Sequence, residues 1–224
     1  IAGKPSVVGG FNGDGGLAVN ALLNAPNSIF VDAMGDVYFM DLGNTRIRKI
    51  KASDGTIHTV AGNGNWGAIS EGSLATGTTI NTTTFTIDRQ GNFYLMGNEV
   101  QKIYKIDAAT GIINALIGTG TKGYNGEGIT ALHTQLGYPV DIATDGEGSV
   151  YFSEKQEGPR NYIRKFSKRD GKVYTVAGNG LPKYTGDGKL ATAYGIGGYL
   201  NICMDQNDNL LINDSYRIRR LTTK

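Results

Sequence analysis

The sequence predicts an all-β repeat protein built from four-stranded antiparallel sheets, and three observations support this. An aspartate followed by a turn and an apolar pair begins at Asp32 and recurs after 56, 57 and 60 residues; a fixed period of this size is typical of propellers and solenoids. Glycine is abundant, at 34 residues against 5 prolines, and 39% of residues are hydrophobic, a composition typical of a turn-rich fold. Each repeat also divides into short apolar segments separated by turn signals.

The strands of each repeat follow in a constant order. The first strand ends at the aspartate, and we predict it at 28–32, 83–88, 140–145 and 200–205. The second carries the apolar pair, at 37–41, 93–96, 150–154 and 210–213. The third alternates isoleucine with basic residues, at 47–50, 103–106, 163–166 and 218–221. The fourth follows an Asp-Gly or Thr-Gly turn, at 56–61, 112–117 and 172–177.

We expect one β-propeller domain over residues 1–224, with repeats at about 1–59, 60–115, 116–175 and 176–224. The last repeat lacks its fourth strand, and Ile1-Ala2-Gly3 matches only the tail of such a strand. The sequence begins at Ile1, without an initiator methionine or an apolar leader. We therefore expect the chain to be a segment of a longer protein.

Charge and cysteine content exclude several classes of protein. The formal net charge is +2, and the basic residues cluster in the third strands, where we interpret them as solvated strand edges in preference to a polyanion site. The single cysteine, Cys203, cannot form an internal disulfide, and no cysteine–histidine cluster offers a zinc site. No apolar run is long enough to span a membrane.

The first repeat resembles the NHL repeat, a β-propeller blade. The resemblance is carried by residues 13–16 (GDGG), 23–26 (LNAP), 35–38 (GDVY) and 43–50 (GNTRIRKI), and by Ala-Gly-Asn-Gly at 61–64 and 177–180. It is similar to the bacterial secreted form, with Gly-Asp-Gly-Gly loops between blades, and this implies an extracellular or cell-envelope location. Similar propellers usually have six blades, so we expect two blades outside this segment. Closure by four blades alone, or a ring shared by two chains, is the alternative.

Four aspartates end the first strands, at Asp32, Asp88, Asp145 and Asp205. A ring of carboxylates could hold calcium. Each aspartate, however, stands just before a tight turn with Gly or Asn two to four residues later, as the first residue of an Asx turn does, so we predict turn caps and no metal. The two histidines, His58 and His133, occupy unlike places in the repeat, and no nucleophile elbow or phosphate loop is present. We therefore predict no catalytic residue and no cofactor.

Two acids face arginines across the hairpin between the second and third strands. We predict ion pairs of Asp41 with Arg46 and of Asp214 with Arg217, worth at most about 1 kcal/mol if exposed.

Two divergent segments are candidates for binding. The insertion at 155–162 departs from the repeat and offers Glu157, Arg160 and Tyr162, and unrepeated insertions on one face of a repeat protein often bind partners. Trp66 lies in another divergent loop, where it either contacts a ligand or plugs the loop.

The function predicted from these observations is a non-enzymatic scaffold for protein or glycan contact. The first alternative is a lyase- or hydrolase-type enzyme with its site in the propeller channel, completed by blades outside this segment. The second is RNA binding through a basic face, which the near-neutral charge disfavours, so we predict no nucleic-acid partner.

Overall fold

A computed structural model describes residues 2–5, 9–97, 100–158, 160–198 and 200–222. The chain divides into two compact units, Ile1–Phe85 with Ile106–Asn114, and Thr86–Lys105 with Ala115–Lys224. The division passes through the second of four sheets.

The first sheet lies in the first unit and has four antiparallel strands in sequence order. They are β1 (Pro26–Val31), β2 (Val37–Asp41), β3 (Arg46–Ile50) and β4 (Ile57–Ala61). The β2 side chains are mostly buried, and β1 carries a bulge between Asn27 and Ile29. Below the sheet Ala18, Ala21, Phe39 and Ile57 form a small apolar core.

The second sheet has five strands. They are β5 (Ser73–Leu74), β6 (Phe85–Ile87), β7 (Phe93–Gly97), β8 (Lys102–Ile106) and β9 (Ile112–Ile117), in the spatial order β5-β9-β8-β7-β6.

The third and fourth sheets lie in the second unit. The third contains β10 (Ile129–Thr130), β11 (Tyr138–Thr144), β12 (Val150–Gln156), β13 (Arg160–Ser167) and β14 (Lys172–Ala177), in the order β10-β14-β13-β12-β11. The fourth contains β15 (Ile202–Met204), β16 (Leu210–Asp214) and β17 (Arg217–Leu221), in that order. Apolar clusters around Phe152 and around Leu210 bury the inner faces of these strands.

The fold is therefore all-β, with four antiparallel sheets that are the blades of a β-propeller, as the repeat predicts. The fourth sheet has three strands within the described residues, in agreement with an incomplete last blade. The second and third sheets differ from the prediction of four strands in each blade. A two-residue strand from the preceding loop joins the outer edge of each, β5 in the second sheet and β10 in the third. In the first sheet the equivalent contact is a single bridge, Leu17 with Thr56.

The four aspartates are turn caps, as predicted. Each accepts backbone N–H bonds from residues two and four positions ahead with one carboxylate oxygen, as Asp88 Oδ1 does from Gln90 and Asn92, both at 2.9 Å. The same pair of bonds forms at Asp32, Asp145 and Asp205. The cap orders the turn between the first and second strands of every blade.

The interpretation of the basic clusters as solvated edges is wrong for Arg48 and Arg164, whose side chains are fully buried. Each lies in the third strand one residue after a fully buried isoleucine, Ile47 or Ile163. The strand runs beneath the loop that enters the blade, so the guanidinium is covered by loop backbone. Arg164, for example, donates to the carbonyl oxygens of Gln135 and Gly126.

The predicted pairing of Asp41 with Arg46 is also wrong in its partner. These two residues are directly opposite in the β2–β3 ladder, but the ion pair forms to the diagonal neighbour: Arg48 Nη1 lies 3.2 Å from Asp41 Oδ2. In the fourth sheet Arg219, and not Arg217, pairs with Asp214 at 3.0 Å. Directly opposite and diagonal side chains share one sheet face and both lie within reach of a long side chain, so register alone does not choose between them.

The two arginines that we expected to pair stack on aromatic rings instead. The guanidinium of Arg46 lies 3.7 Å from the centroid of the Phe11 ring, and that of Arg217 lies 4.2 Å from the Tyr184 ring. Phe11 and Tyr184 begin equivalent loops, with the sequences Phe-Asn-Gly-Asp-Gly and Tyr-Thr-Gly-Asp-Gly. The loop acids complete the set, since Asp14 lies 2.7 Å from Arg48 and Asp187 lies 2.8 Å from Arg219.

Candidate functional site

The predicted insertion in the third repeat is not a loop, because it extends a hairpin. β12 and β13 continue past the ends of their counterparts in the other blades, and the last pairs are Lys155 with Asn161 and Gln156 with Arg160. The turn includes Glu157 and Gly158, and Gly158 adopts a positive φ of 72°, which favours glycine. The longer hairpin thus carries Glu157 in its turn and Arg160 and Tyr162 on β13.

Three further side chains surround this hairpin, and together the six residues form a surface that we call the hairpin patch. Its members are Lys122, Tyr124, Tyr138, Glu157, Arg160 and Tyr162. The ring of Tyr124 stacks on that of Tyr162 with centroids 6.3 Å apart and an interplanar angle of 13°. Lys122 links the other side of the patch, donating a 2.6 Å hydrogen bond to the Tyr138 hydroxyl and lying 3.2 Å from Glu157.

The charges of the patch are set by these contacts. The hydrogen bond to Tyr138, followed by the one to Glu157, raises the pKa of Lys122, so the ammonium group is retained at neutral pH. Burial and the hydrogen bond to Glu127 raise the pKa of Tyr124 to about 12, so its hydroxyl remains a donor. The patch therefore presents half-exposed tyrosines beside the ion pair that Lys122 forms with the exposed carboxylate of Glu157.

Glu127 fixes the position of Tyr124 from beneath. Burial would raise the pKa of Glu127, but hydrogen bonds from the Thr175 hydroxyl at 2.6 Å, from the Tyr124 hydroxyl at 2.7 Å and from the Thr175 amide together lower it. The stacked tyrosine is thus tied to β14 through one carboxylate.

We expect a Glu127→Gln variant to be less stable than the wild type at pH 7 by on the order of 1 kcal/mol, because charge-assisted hydrogen bonds are replaced by neutral ones. A carboxylate with a lowered folded pKa contributes stability above its unfolded pKa, near 4.5, and this stability is lost as the pH falls through the folded value. Urea unfolding at a series of pH values from 7 to 3 measures the difference. A gap between the two proteins that stays constant with pH would contradict the role of the charge.

Trp66 belongs to the first unit, in the loop after β4, and its side chain is 68% exposed. It therefore does not plug the loop. Of the four residues predicted to bind, the structure places Glu157, Arg160 and Tyr162 on one hairpin, while Trp66 lies in the other unit. Lys122, Tyr124 and Tyr138 were not predicted from the sequence. The signal for Tyr124 was present, since Tyr-Asn-Gly-Glu-Gly repeats the aromatic-x-Gly-acid-Gly pattern of the other loops.

The histidines make local contacts. A ring nitrogen of His58 lies 2.9 Å from the Thr56 hydroxyl, and one of His133 lies 2.9 Å from the Thr130 hydroxyl. Within the described ranges, no group of three or more His, Cys, Asp or Glu side chains is arranged to hold a metal ion. The same part of the chain contains no helix with the length and hydrophobicity that a bilayer span requires.

Comparison with known proteins places these features in a family context. Residues 9–84 match the model of the Teneurin NHL domain. Teneurin-4 of Homo sapiens is 47% identical over 49 residues, which are 22% of this chain and 2% of that protein.

Solved structures resemble a larger part of the chain. A protein of unknown function from Bacteroides thetaiotaomicron aligns with a TM-score of 0.66 at 20% identity, over 88% of this chain and 47% of its own. An auxiliary nutrient binding protein from the same organism aligns with a TM-score of 0.60 at 17% identity, over 88% of this chain and 47% of its own. Virginiamycin B lyase from Staphylococcus aureus aligns with a TM-score of 0.50 at 20% identity, over 88% of this chain and 52% of its own.

These identities show the fold alone, and the chain spans about half the length of the solved chains. The repeated blade, the match of residues 9–84 to an NHL family model and the propeller-like neighbours together support an NHL-repeat β-propeller.

Proposed function

We propose that this chain is a non-enzymatic binding scaffold of an extracellular or cell-envelope protein, and that it contacts a glycan or protein partner through the hairpin patch. The observation that carries the proposal is the extension of the β12–β13 hairpin, which the other blades do not share and which presents the patch on paired strands. The location is supported by the resemblance of the loops to those of secreted bacterial propellers.

The chemistry of the patch suits a sugar or a polar protein surface. The face of a half-exposed tyrosine accepts the apolar face of a pyranose, and tyrosine is also enriched in protein interfaces. Glu157 and Arg160 are exposed and offer an acceptor and a fork of donors beside the rings. Because Lys122 holds both Tyr138 and Glu157, the polar groups are positioned before a partner arrives.

Tyr138→Ala is expected to weaken partner binding at least about tenfold, since the residue is 51% exposed and supplies both a ring face and the anchor of Lys122. The measurement is a glycan array probed with the labelled full chain, followed by titration calorimetry on each glycan retained. Tyr216→Ala is the matched control, because Tyr216 is 94% exposed in the turn between β16 and β17 and its replacement should leave affinity unchanged.

If no glycan is retained, a photo-crosslinker placed at residue 157 tests the protein alternative. Equal loss of binding in the Tyr138→Ala and Tyr216→Ala variants would overturn the assignment of the patch. A Trp66→Ala variant measures separately whether the first unit contributes to the same affinity.

A further inference from the structure

The extended β12–β13 hairpin carries two cations that have no acidic partner among the described residues. Lys122 and Glu157 lie 3.2 Å apart and neutralise each other. The exposed guanidinium of Arg160 forms no ion pair with the described part of the chain. Neither does the ammonium group of Lys155, which is exposed and stands directly opposite Tyr138 in the β11–β12 ladder. The hairpin thus has three cations against one carboxylate, and the surplus positive charge faces solvent.

Arg160 is positioned beside the pair of stacked tyrosines. Arg160 and Tyr162 lie on one face of β13, since they are two residues apart on a strand, and their Cα atoms are roughly 6.6 Å apart. Both side chains also lie against Gly180. A methyl group at that glycine would be 2.6 Å from the Tyr162 hydroxyl and 3.8 Å from Arg160 Cγ. The arginine is therefore packed next to the ring pair, in which Tyr124 is 48% exposed.

The composition of this surface favours a glycan over a protein as the partner. The buried centre of a protein interface is depleted in charged residues. Here four charged side chains stand among the tyrosines: Lys122, Lys155, Glu157 and Arg160. A sugar ring matches such a mixture, because it places its C–H face on an aromatic ring and its hydroxyl groups on polar neighbours.

The uncompensated arginine indicates which kind of sugar. A planar guanidinium binds a carboxylate through two parallel hydrogen bonds, which are stronger than bonds between neutral groups. A hexuronate carries its carboxylate directly on the pyranose ring. The ring and the acid group are then as close to each other as the tyrosine pair and Arg160 are on the hairpin.

We propose that the hairpin patch binds an acidic glycan, with a hexuronate ring on the exposed surface of Tyr124 and Tyr162 and its carboxylate on Arg160. The inference rests on the proposed function, because it names the class of partner for the same surface. Lys155 adds attraction for an acidic chain as it approaches.

The test uses the full chain and two tetrasaccharides, α-1,4-linked tetragalacturonate and its carboxyl-reduced counterpart, in which each carboxylate is a hydroxymethyl group. Titration calorimetry is expected to show at least about tenfold tighter binding of the acid, the effect of charge-assisted hydrogen bonds. This comparison leaves the protein unchanged, so it does not depend on how a variant folds.

Two arginine variants locate the carboxylate. Arg160→Gln should reduce the preference for the acid to about twofold or less, since the charged donor is lost. Arg169→Gln is the matched control, because it removes the same charge from an exposed arginine in the turn between β13 and β14, at the other end of the strand. It should keep the preference. An equal reduction in both variants would mean attraction to net charge alone and would overturn the proposal.

The remaining outcomes separate this inference from the proposed function. Equal affinity for the two tetrasaccharides, weakened for both by Tyr138→Ala, would overturn the acidic glycan and keep the patch as a binding surface. Tighter binding of a sulfated tetrasaccharide than of tetragalacturonate would overturn the assignment of a carboxylate. Binding of neither sugar would also overturn the inference, and the photo-crosslinker at residue 157 would then test the protein alternative of the proposed function.

Discussion

Replacement of Arg164 with methionine is expected to lower the free energy of unfolding by about 3–5 kcal/mol, the usual cost of leaving a buried charge without its partner. Arg164 and Glu154 are both fully buried, and their side chains approach to 3.3 Å. Glu154 keeps the Gly137 amide at 2.8 Å and the Gln156 amide group at 2.9 Å, but these two neutral donors do not replace a cation. Urea unfolding measures the loss.

The pH dependence of this variant identifies the cause. Burial, opposed by Arg164, raises the pKa of Glu154 in the folded protein, and removal of the arginine raises it further. A carboxylate whose folded pKa is raised binds more protons in the folded state, so stability rises as the pH falls. The deficit of Arg164→Met should therefore shrink between pH 8 and pH 5. A deficit that does not change with pH would point to lost packing and not to the charge.

A double variant, Arg164→Met with Glu154→Met, is the matched control. Replacement of a whole buried ion pair by apolar residues is often neutral or stabilising, so we expect most of the lost stability to return. The Nε atom of Arg164 supports this expectation, because it is buried and has no hydrogen-bond partner among the described residues. A double variant as unstable as the single one would show that the loop needs the guanidinium to hold the Gln135 and Gly126 carbonyl groups.

The second repeat is a natural version of the same substitution. It has Gly97 where the others have Asp41, Glu154 or Asp214, and Tyr104 where they have Arg48, Arg164 or Arg219. Its loop also begins without an aromatic residue, since Ala68 stands where Phe11 and Tyr124 stand. The strand acid, the arginine and the stacked ring are absent together, whereas the loop acid is kept as Glu71. The joint absence is expected if the three form one unit that closes the loop onto the third strand.

The sequence predicted the blades because their signals are local. Each third strand has an isoleucine between polar neighbours, and each turn has an aspartate at a fixed distance from a glycine or asparagine. The two-residue strands β5 and β10 were not predictable in this way, because two residues show no periodicity. They form because glycine-rich loop backbone hydrogen-bonds to the neighbouring strand, as Gly72 does to Ile113.

The candidate site was predictable only in part. The hairpin residues Glu157, Arg160 and Tyr162 were found because the third repeat is longer there than the others. Lys122 and Tyr138 were missed because their contact joins a loop to the start of β11, and such a contact depends on the packing of two segments 16 residues apart. The buried arginines were misjudged because burial by a loop leaves no pattern in the strand itself.

The last expected result concerns the turn caps and separates them from a metal site. Asp88→Ala should cost about 2–4 kcal/mol, because it removes an acceptor shared by two backbone amides and two side-chain donors in a buried turn. These donors are the amides of Gln90 and Asn92, the Asn92 side chain at 2.8 Å and the Tyr94 hydroxyl at 2.9 Å. Urea unfolding at pH 7 measures the cost.

Asp205→Ala is the graded control, since Asp205 makes the same two amide bonds and one to the Asn209 side chain in a turn that is more open to water. Water replaces the lost acceptor there, so about 1 kcal/mol is expected. Equal costs at the two positions would mean that burial does not set the value of the cap.

The same hydrogen bonds predict the response to calcium. Because the aspartate oxygens are already engaged by N–H and O–H donors, added calcium should not raise Tm. A rise in Tm that is lost in Asp88→Ala would show that the carboxylates bind an ion and would replace the turn-cap account.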